Sequence, residues 1–168
     1  MLSLTYTNMV AITAMKPSGR SLLKVVDMST FVLVDKDEMG YVGVINLFLE
    51  DGRTFSMYYI PLEIISALNK LESDEFQEEY VVRRESIFDL LPQLESFKEL
   101  MGRVVKRVII DTLDKETGLY SATVELSFDT ITINKKMIPS HAIFLARTVG
   151  SPIYVHKDLL ASEETLGE

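Results

Sequence analysis

The sequence predicts an α+β domain with a mixed or antiparallel sheet and two or three packed helices. Three observations carry this expectation. Val- and Ile-rich runs of strand length come in neighbouring pairs. Two stretches, Leu62–Leu71 and Ile87–Met101, place apolar residues at helical spacing between those pairs. Asp51-Gly52 sits between two such runs and is the strongest short hairpin signal in the chain. Strands in hairpins interrupted by helices belong to the α+β class.

Residues 1–20 are expected to be an N-terminal extension ending in the loop-like Lys16-Pro17-Ser18-Gly19-Arg20. Whether the extension is a strand, a helix or an arm stays open. Residues 21–162 form the expected domain, and residues 163–168 a polar tail that frays. From Leu22 to Val34 the apolar residues predict one or two strands, closed by the polar turn Asp35-Lys36-Asp37-Glu38. Tyr41–Leu49 predicts a largely buried strand, and Thr54–Ile60 its hairpin partner. Pro61 opens the first helix, where its fixed φ suits the first turn. The acidic stretch Glu72, Asp74, Glu75, Glu78 and Glu79 favours a solvated edge. In the second helical pattern Pro92 kinks or divides the helix, and Gly102 stops it.

Val104–Leu113 and Tyr120–Phe128 predict two strands, the latter with half-buried alternation, and Thr130–Ile133 a third. A helix from Pro139 to Val149 follows, ended by Gly150. Pro152–Val155 predicts a short strand and Lys157–Ala161 a last short helix.

Composition limits the function classes. With 168 residues, 47% apolar and 25% charged, the chain has the balance of one globular domain. It has no cysteine, which excludes a disulfide framework, a Cys-based zinc site, a thiol nucleophile and an iron–sulfur cluster. The formal charge of −8, from 25 acidic and 17 basic residues, weighs against a dedicated non-specific nucleic-acid binder. The longest charge-free stretch, Met1–Met15, is shorter than the roughly 20 apolar residues a membrane helix needs. It also lacks the positive start of a secretory signal, so no membrane association and a cytoplasmic location are expected. No Gly-rich phosphate loop, H-E-x-x-H or G-x-S-x-G is present.

Candidate site residues lie in two segments. Asp89 follows Ser86 at capping-box spacing, so it is either a helix cap or a site carboxylate. Ser140 stands where a helix begins and suits an N-cap. His141 falls in the same first turn, downstream of Lys135 and Lys136, and Thr130–Thr148 contains no acid. These cations mark either a small phosphate-binding patch or a solvated edge that protects a strand from aggregation. Arg103 and Arg107 would share one face of a strand, with Lys106 on the other. The aromatics Tyr41, Phe48, Phe55, Tyr58 and Tyr59 read as core or sheet-face residues, and His156 as a surface residue. The apolar strand Tyr41–Leu49 and its partner need covering, for which a homodimer is the expected solution.

The order of several segments resembles the bifunctional nuclease family, once a domain of unknown function. The segments are Arg84-Glu85-Ser86-Ile87-Phe88-Asp89-Leu90-Leu91, the strand pair around Val108-Ile109-Ile110 and Tyr120-Ser121-Ala122, and Ile138-Pro139-Ser140-His141-Ala142-Ile143 leading to Gly150-Ser151-Pro152-Ile153-Tyr154-Val155. Phe55–Ile60 is similar to the family's strand before its first helix, so the resemblance runs from about Lys24 to Leu160. It implies the α+β fold, a homodimer and, for some members, nuclease activity on RNA and DNA. Arg84, Asp89, Pro139 and Ser140 match the family's motifs. Ile87 and Phe88 stand where the family has Thr and His. Lys136, Ile138 and His141 stand where it has Asp, Arg and Asp. If the family's carboxylates hold a divalent ion such as Mg²⁺ or Mn²⁺, two candidate ligands are therefore absent, and ordinary phosphodiester hydrolysis loses its usual charge stabilisation. Two readings follow. One is a non-catalytic or weakly active dimeric binding or regulatory module. The other is a nuclease or phosphodiesterase in which Asp89 and His141 act in catalysis while Arg84, Lys135, Lys136 and Ser140 hold a nucleic acid or other phosphate-containing ligand.

Overall fold

A computed structural model describes residues 21–35, 40–73 and 84–164. The expectations for residues 1–20, for the turn at 36–38, for most of the acidic stretch after Glu72 and for the end of the tail lie outside the described residues. The described part is an α+β domain built on one mixed sheet of seven strands. In chain order the strands are β1 (Leu22–Asp35), β2 (Gly40–Leu49), β3 (Thr54–Ile60), β4 (Val105–Leu113), β5 (Tyr120–Phe128), β6 (Ile131–Met137) and β7 (Ile153–His156). Their order across the sheet is β3-β2-β1-β7-β4-β5-β6. All neighbours are antiparallel except β4 and β7, which run parallel.

The hairpins follow local chemistry. Gly52 takes a positive φ in the turn between β2 and β3 and donates its N–H to the Leu49 carbonyl at 2.9 Å. Asp129 takes a positive φ between β5 and β6, a conformation Asp tolerates. β1 is one long strand, bent by a register shift between Val25 and Asp27.

The helices are α1 (Leu62–Glu72), α2 (Ile87–Leu90), α3 (Glu95–Val104), α4 (Pro139–Val149) and α5 (Lys157–Glu164). Of these, α1, α3 and α4 reach ten residues or more. Pro61 is the N-cap of α1 rather than its first residue. Pro92 divides the second helical pattern as expected: α2 gives way to a 3₁₀ turn over Leu91–Gln93 before α3 begins. Gly102 does not stop α3, which continues to Val104 because neither its φ nor its surroundings force an exit there. Gly150, with φ +73°, does end α4. Arg103 is the last cation of α3 and not a strand residue, so it does not share a strand face with Arg107.

One face of the sheet carries the core. Met28, Ile45, Leu47, Phe55, Val108, Ile110, Ala122, Val124 and Val155 pack against Ile64, Ile65 and Leu68 of α1 and Ala142, Ile143 and Phe144 of α4. On β5 the buried Ala122 and Val124 alternate with the half-buried Thr123 and Glu125, which face the other way. The sheet curls strongly. Phe55 of β3 and Tyr120 of β5 meet edge to face with ring centroids 5.2 Å apart, although β2, β1, β7 and β4 lie between their strands. Among the described residues no helix is long and apolar enough to cross a membrane.

Candidate functional site

Two concavities collect the residues of interest. The first, of about 370 Å³, is lined by Lys70 and Leu71 of α1 and by Glu85, Phe88, Asp89 and Gln93 around α2. Its central carboxylate is committed to local structure. Ser86 and Asp89 form a full capping box: the Phe88 N–H donates to Ser86 Oγ at 3.2 Å, and the Ser86 N–H donates to Asp89 Oδ2 at 2.8 Å. The Ser86 hydroxyl donates to the same oxygen, and the Lys70 ammonium donates to Asp89 Oδ1 at 2.8 Å. Partial burial alone would push the Asp89 carboxyl up. The hydrogen bonds from Lys70 and Ser86 outweigh it and hold the group below the usual carboxylate range.

Ile87 is exposed, while the Phe88 ring turns to α4 and stacks edge to face on His141 and on Phe144, each with centroids 5.1 Å apart. His141 is thus a packing partner of Phe88 in the first turn of α4. Arg84 is exposed and is not among the residues lining this concavity.

The second cavity is larger, about 690 Å³. It opens where the curled sheet brings its two ends together, between the end of β3, the β4–β5 loop and the entry to α4. Ser140 lines it, together with Tyr58, Tyr59, Leu119, Tyr120 and Ile138. Ser140 and Asp89 therefore line different cavities. Ser140 is also not the cap of α4. Pro139 takes the first helical position, which makes Ile138 the N-cap and puts Ser140 one residue further in, 2% exposed.

Local geometry builds the wall of this cavity. Gly43 pairs with Ile60 and Ile45 with Met57, so Tyr58 and Tyr59 bulge opposite the single residue Val44. The bulge holds Tyr59 at φ +59°, a left-handed conformation that costs a side-chain-bearing residue roughly 1–2 kcal/mol. Gly43 permits it: a Cβ there would lie 2.3 Å from the Ile60 carbonyl oxygen. Of the two alternatives for Tyr58 and Tyr59, core or sheet face, the core is excluded. They are 56% and 80% exposed, and Tyr41 is exposed as well, while Phe55 is fully buried as expected. Leu119 and Ile138, the latter standing where the family has Arg, are exposed as well. The visible signal is the Tyr-Tyr-Ile-Pro sequence at the end of a strand, where a bulge is not announced by any glycine.

Apart from Lys70, the basic residues do not line either cavity among the described residues. Lys135 and Lys136 lie on the edge strand β6, with side chains on opposite faces of it. Lys136 crosses β5 to reach Asp111 Oδ1 at 2.6 Å and Thr112 Oγ1 at 2.9 Å, while the Thr123 hydroxyl donates to Asp111 Oδ2 at 2.6 Å. Arg107 pairs with Glu125 across β4 and β5 at 2.9 Å, and Arg147 with Glu72 at 2.7 Å. His156 lies on β7 itself, half-buried, 3.4 Å from Asp158.

Lys70 already occupies the acceptor face of Asp89. Among the described residues no group of three or more His, Asp or Glu is placed to hold a metal ion.

Comparison with curated proteins finds no match for this chain. The bifunctional nuclease domain model matches residues 62–166, from α1 through the end of the described part. The match covers α2, the strands β4 to β7 and α4; β1, β2 and β3 lie before it. It extends over more than half of the sequence, and the chain belongs to the bifunctional nuclease domain family.

Proposed function

We propose that this protein is a binding or regulatory module of the family, dimeric and with little or no hydrolytic activity. The observation that carries the reading is the state of Asp89. This is the motif carboxylate the chain retains, and Ser86 and Lys70 satisfy both of its oxygens. A carboxylate so engaged is poor at taking a proton from water and poor at recruiting a cation. The separation of Asp89 and Ser140 into different cavities supports the same reading. For the dimer, support comes from the large apolar side chains that β1 exposes, Phe31, Leu33 and Val34.

The family relationship keeps a nuclease as the rival. In it Asp89 and His141 would serve in catalysis, and Arg84, Lys135, Lys136 and Ser140 would bind the phosphodiester. Incubation of the pure protein with labelled single-stranded RNA and DNA, with Mg²⁺ or Mn²⁺ and with EDTA, separates the two. The module reading expects intact substrate in every lane. Metal-dependent cleavage that Asp89→Asn abolishes would overturn it. Sedimentation at micromolar concentration tests the dimer.

A further inference from the structure

The larger cavity has a chemical character of its own. Among the described residues, none that lines it carries a formal charge. Tyr58, Tyr59 and Tyr120 contribute aromatic rings, and Leu119 and Ile138 bring exposed apolar surface to the same opening. Ser56, Ser140 and the three tyrosines bring hydroxyl groups to it; that of Ser56 donates to Asn46 Oδ1 at 2.8 Å and keeps acceptor capacity. Its volume, about 690 Å³, lies within the range of small-molecule sites.

A second, independent observation falls on the same wall. Tyr59 is one of two non-glycine residues with positive φ among the described residues, and it is the most exposed of the large apolar and aromatic side chains. A strand bulge that strains a tyrosine to present it beside a concavity is the kind of outlier that collects at ligand sites. For the fold alone, glycine would be easier at that position.

We infer that this cavity binds a neutral, planar-ring compound of about nucleoside size, stacked against Tyr58 and Tyr59. The absence of charge selects the class. A phosphate or carboxylate entering here would lose water without gaining a cation, which penalises anions. Flat rings gain both area and favourable edge or face geometry against tyrosine. Hydroxyls at the cavity wall suit the polar edge of a heterocycle. The inference deepens the binding-module reading by naming the ligand class of the cavity.

The test uses the full chain and a set of probes: adenosine, cytidine, nicotinamide and indole as neutral rings, AMP as the charged counterpart of adenosine, and sucrose as a neutral compound without a planar ring. Ligand-detected NMR and calorimetry read binding. At least one neutral ring is expected to bind at millimolar concentration or below. AMP should bind at least about tenfold more weakly than adenosine if adenosine binds, and sucrose should not bind. Tyr59→Gly should weaken binding about tenfold or more, the size of one lost stacking contact, while thermal stability stays level or rises. Tyr58→Ala gives a second reading should Tyr59→Gly alter the fold. Failure of all four neutral rings to bind, stronger binding of AMP than of adenosine, or affinity unchanged in both tyrosine variants would overturn the inference. Nuclease activity in the assay above would defeat the module reading without touching these outcomes, so the two failures are distinguishable.

Discussion

Replacing Asp89 separates a structural carboxylate from a chemical one. In Asp89→Ala the capping box loses its reciprocal half, worth about 1 kcal/mol. The ion pair with Lys70 is lost too; because the lysine side chain is half exposed, that contact is worth only about 0–1 kcal/mol. Together the loss is about 1–2 kcal/mol, which for a domain of this size lowers Tm by roughly 2–8 °C. Asp89→Asn keeps an acceptor for the Ser86 N–H but removes the charge, so it should cost about half as much. The acid limb gives an independent check. The folded carboxyl sits below its ordinary value of 3.8, so the unfolded chain binds the proton more readily. Its stabilisation is therefore complete above that ordinary value and is lost as pH falls through the lowered folded value. Urea titrations between about pH 6 and pH 2.5 should show wild type losing this increment and Asp89→Asn lacking it. A Tm unchanged within about 1 °C in Asp89→Ala, with identical acid limbs, would refute the account of Asp89 as a cap and ion-pair partner.

Three further outcomes follow from the geometry. Gly43→Ala should lower the urea midpoint by an amount equivalent to about 1–3 kcal/mol, because the new methyl meets the Ile60 carbonyl at 2.3 Å and Ile65 Cγ1 at 2.8 Å. Gly150→Ala meets no atom within 4 Å but forces φ +73° on a Cβ, so calorimetry should show a loss of about 1 kcal/mol from backbone strain alone. Phe55→Ala empties a fully buried site beside Tyr120, and equilibrium unfolding should register about 3–5 kcal/mol.

Much of the fold was legible because the decisive interactions are local. The α4 boundaries at Pro139 and Val149 follow from a fixed φ at one end and a glycine at the other. The β5 boundaries follow from period-two alternation, and the Ser86–Asp89 box from its spacing. What stayed hidden depends on partners distant in sequence. The Tyr58–Tyr59 bulge exists only against Val44 on β2. The charge of Lys136 is neutralised by Asp111, 25 residues earlier and two strands away. Ser140 has the residue type of a cap, but Pro139 ahead of it already holds the first helical position and Ile138 the cap, so Ser140 lies inside the first turn. The resemblance placed Phe55–Ile60 within the family pattern, whereas the family match begins at Leu62, and the bulged wall of the larger cavity lies just before it.

The four-residue strand β7 has a consequence for how the molecule is made. It lies between β1 and β4 in the sheet, yet it follows all six other strands in the chain. Until residues 153–156 leave the ribosome, the strands already synthesised can form only two separate ribbons, each with an unsealed inner margin along β1 or β4. A polypeptide stalled shortly before that point would offer those margins to neighbouring nascent chains, so translation speed over the stretch leading into β7 should influence how much product stays out of inclusion bodies.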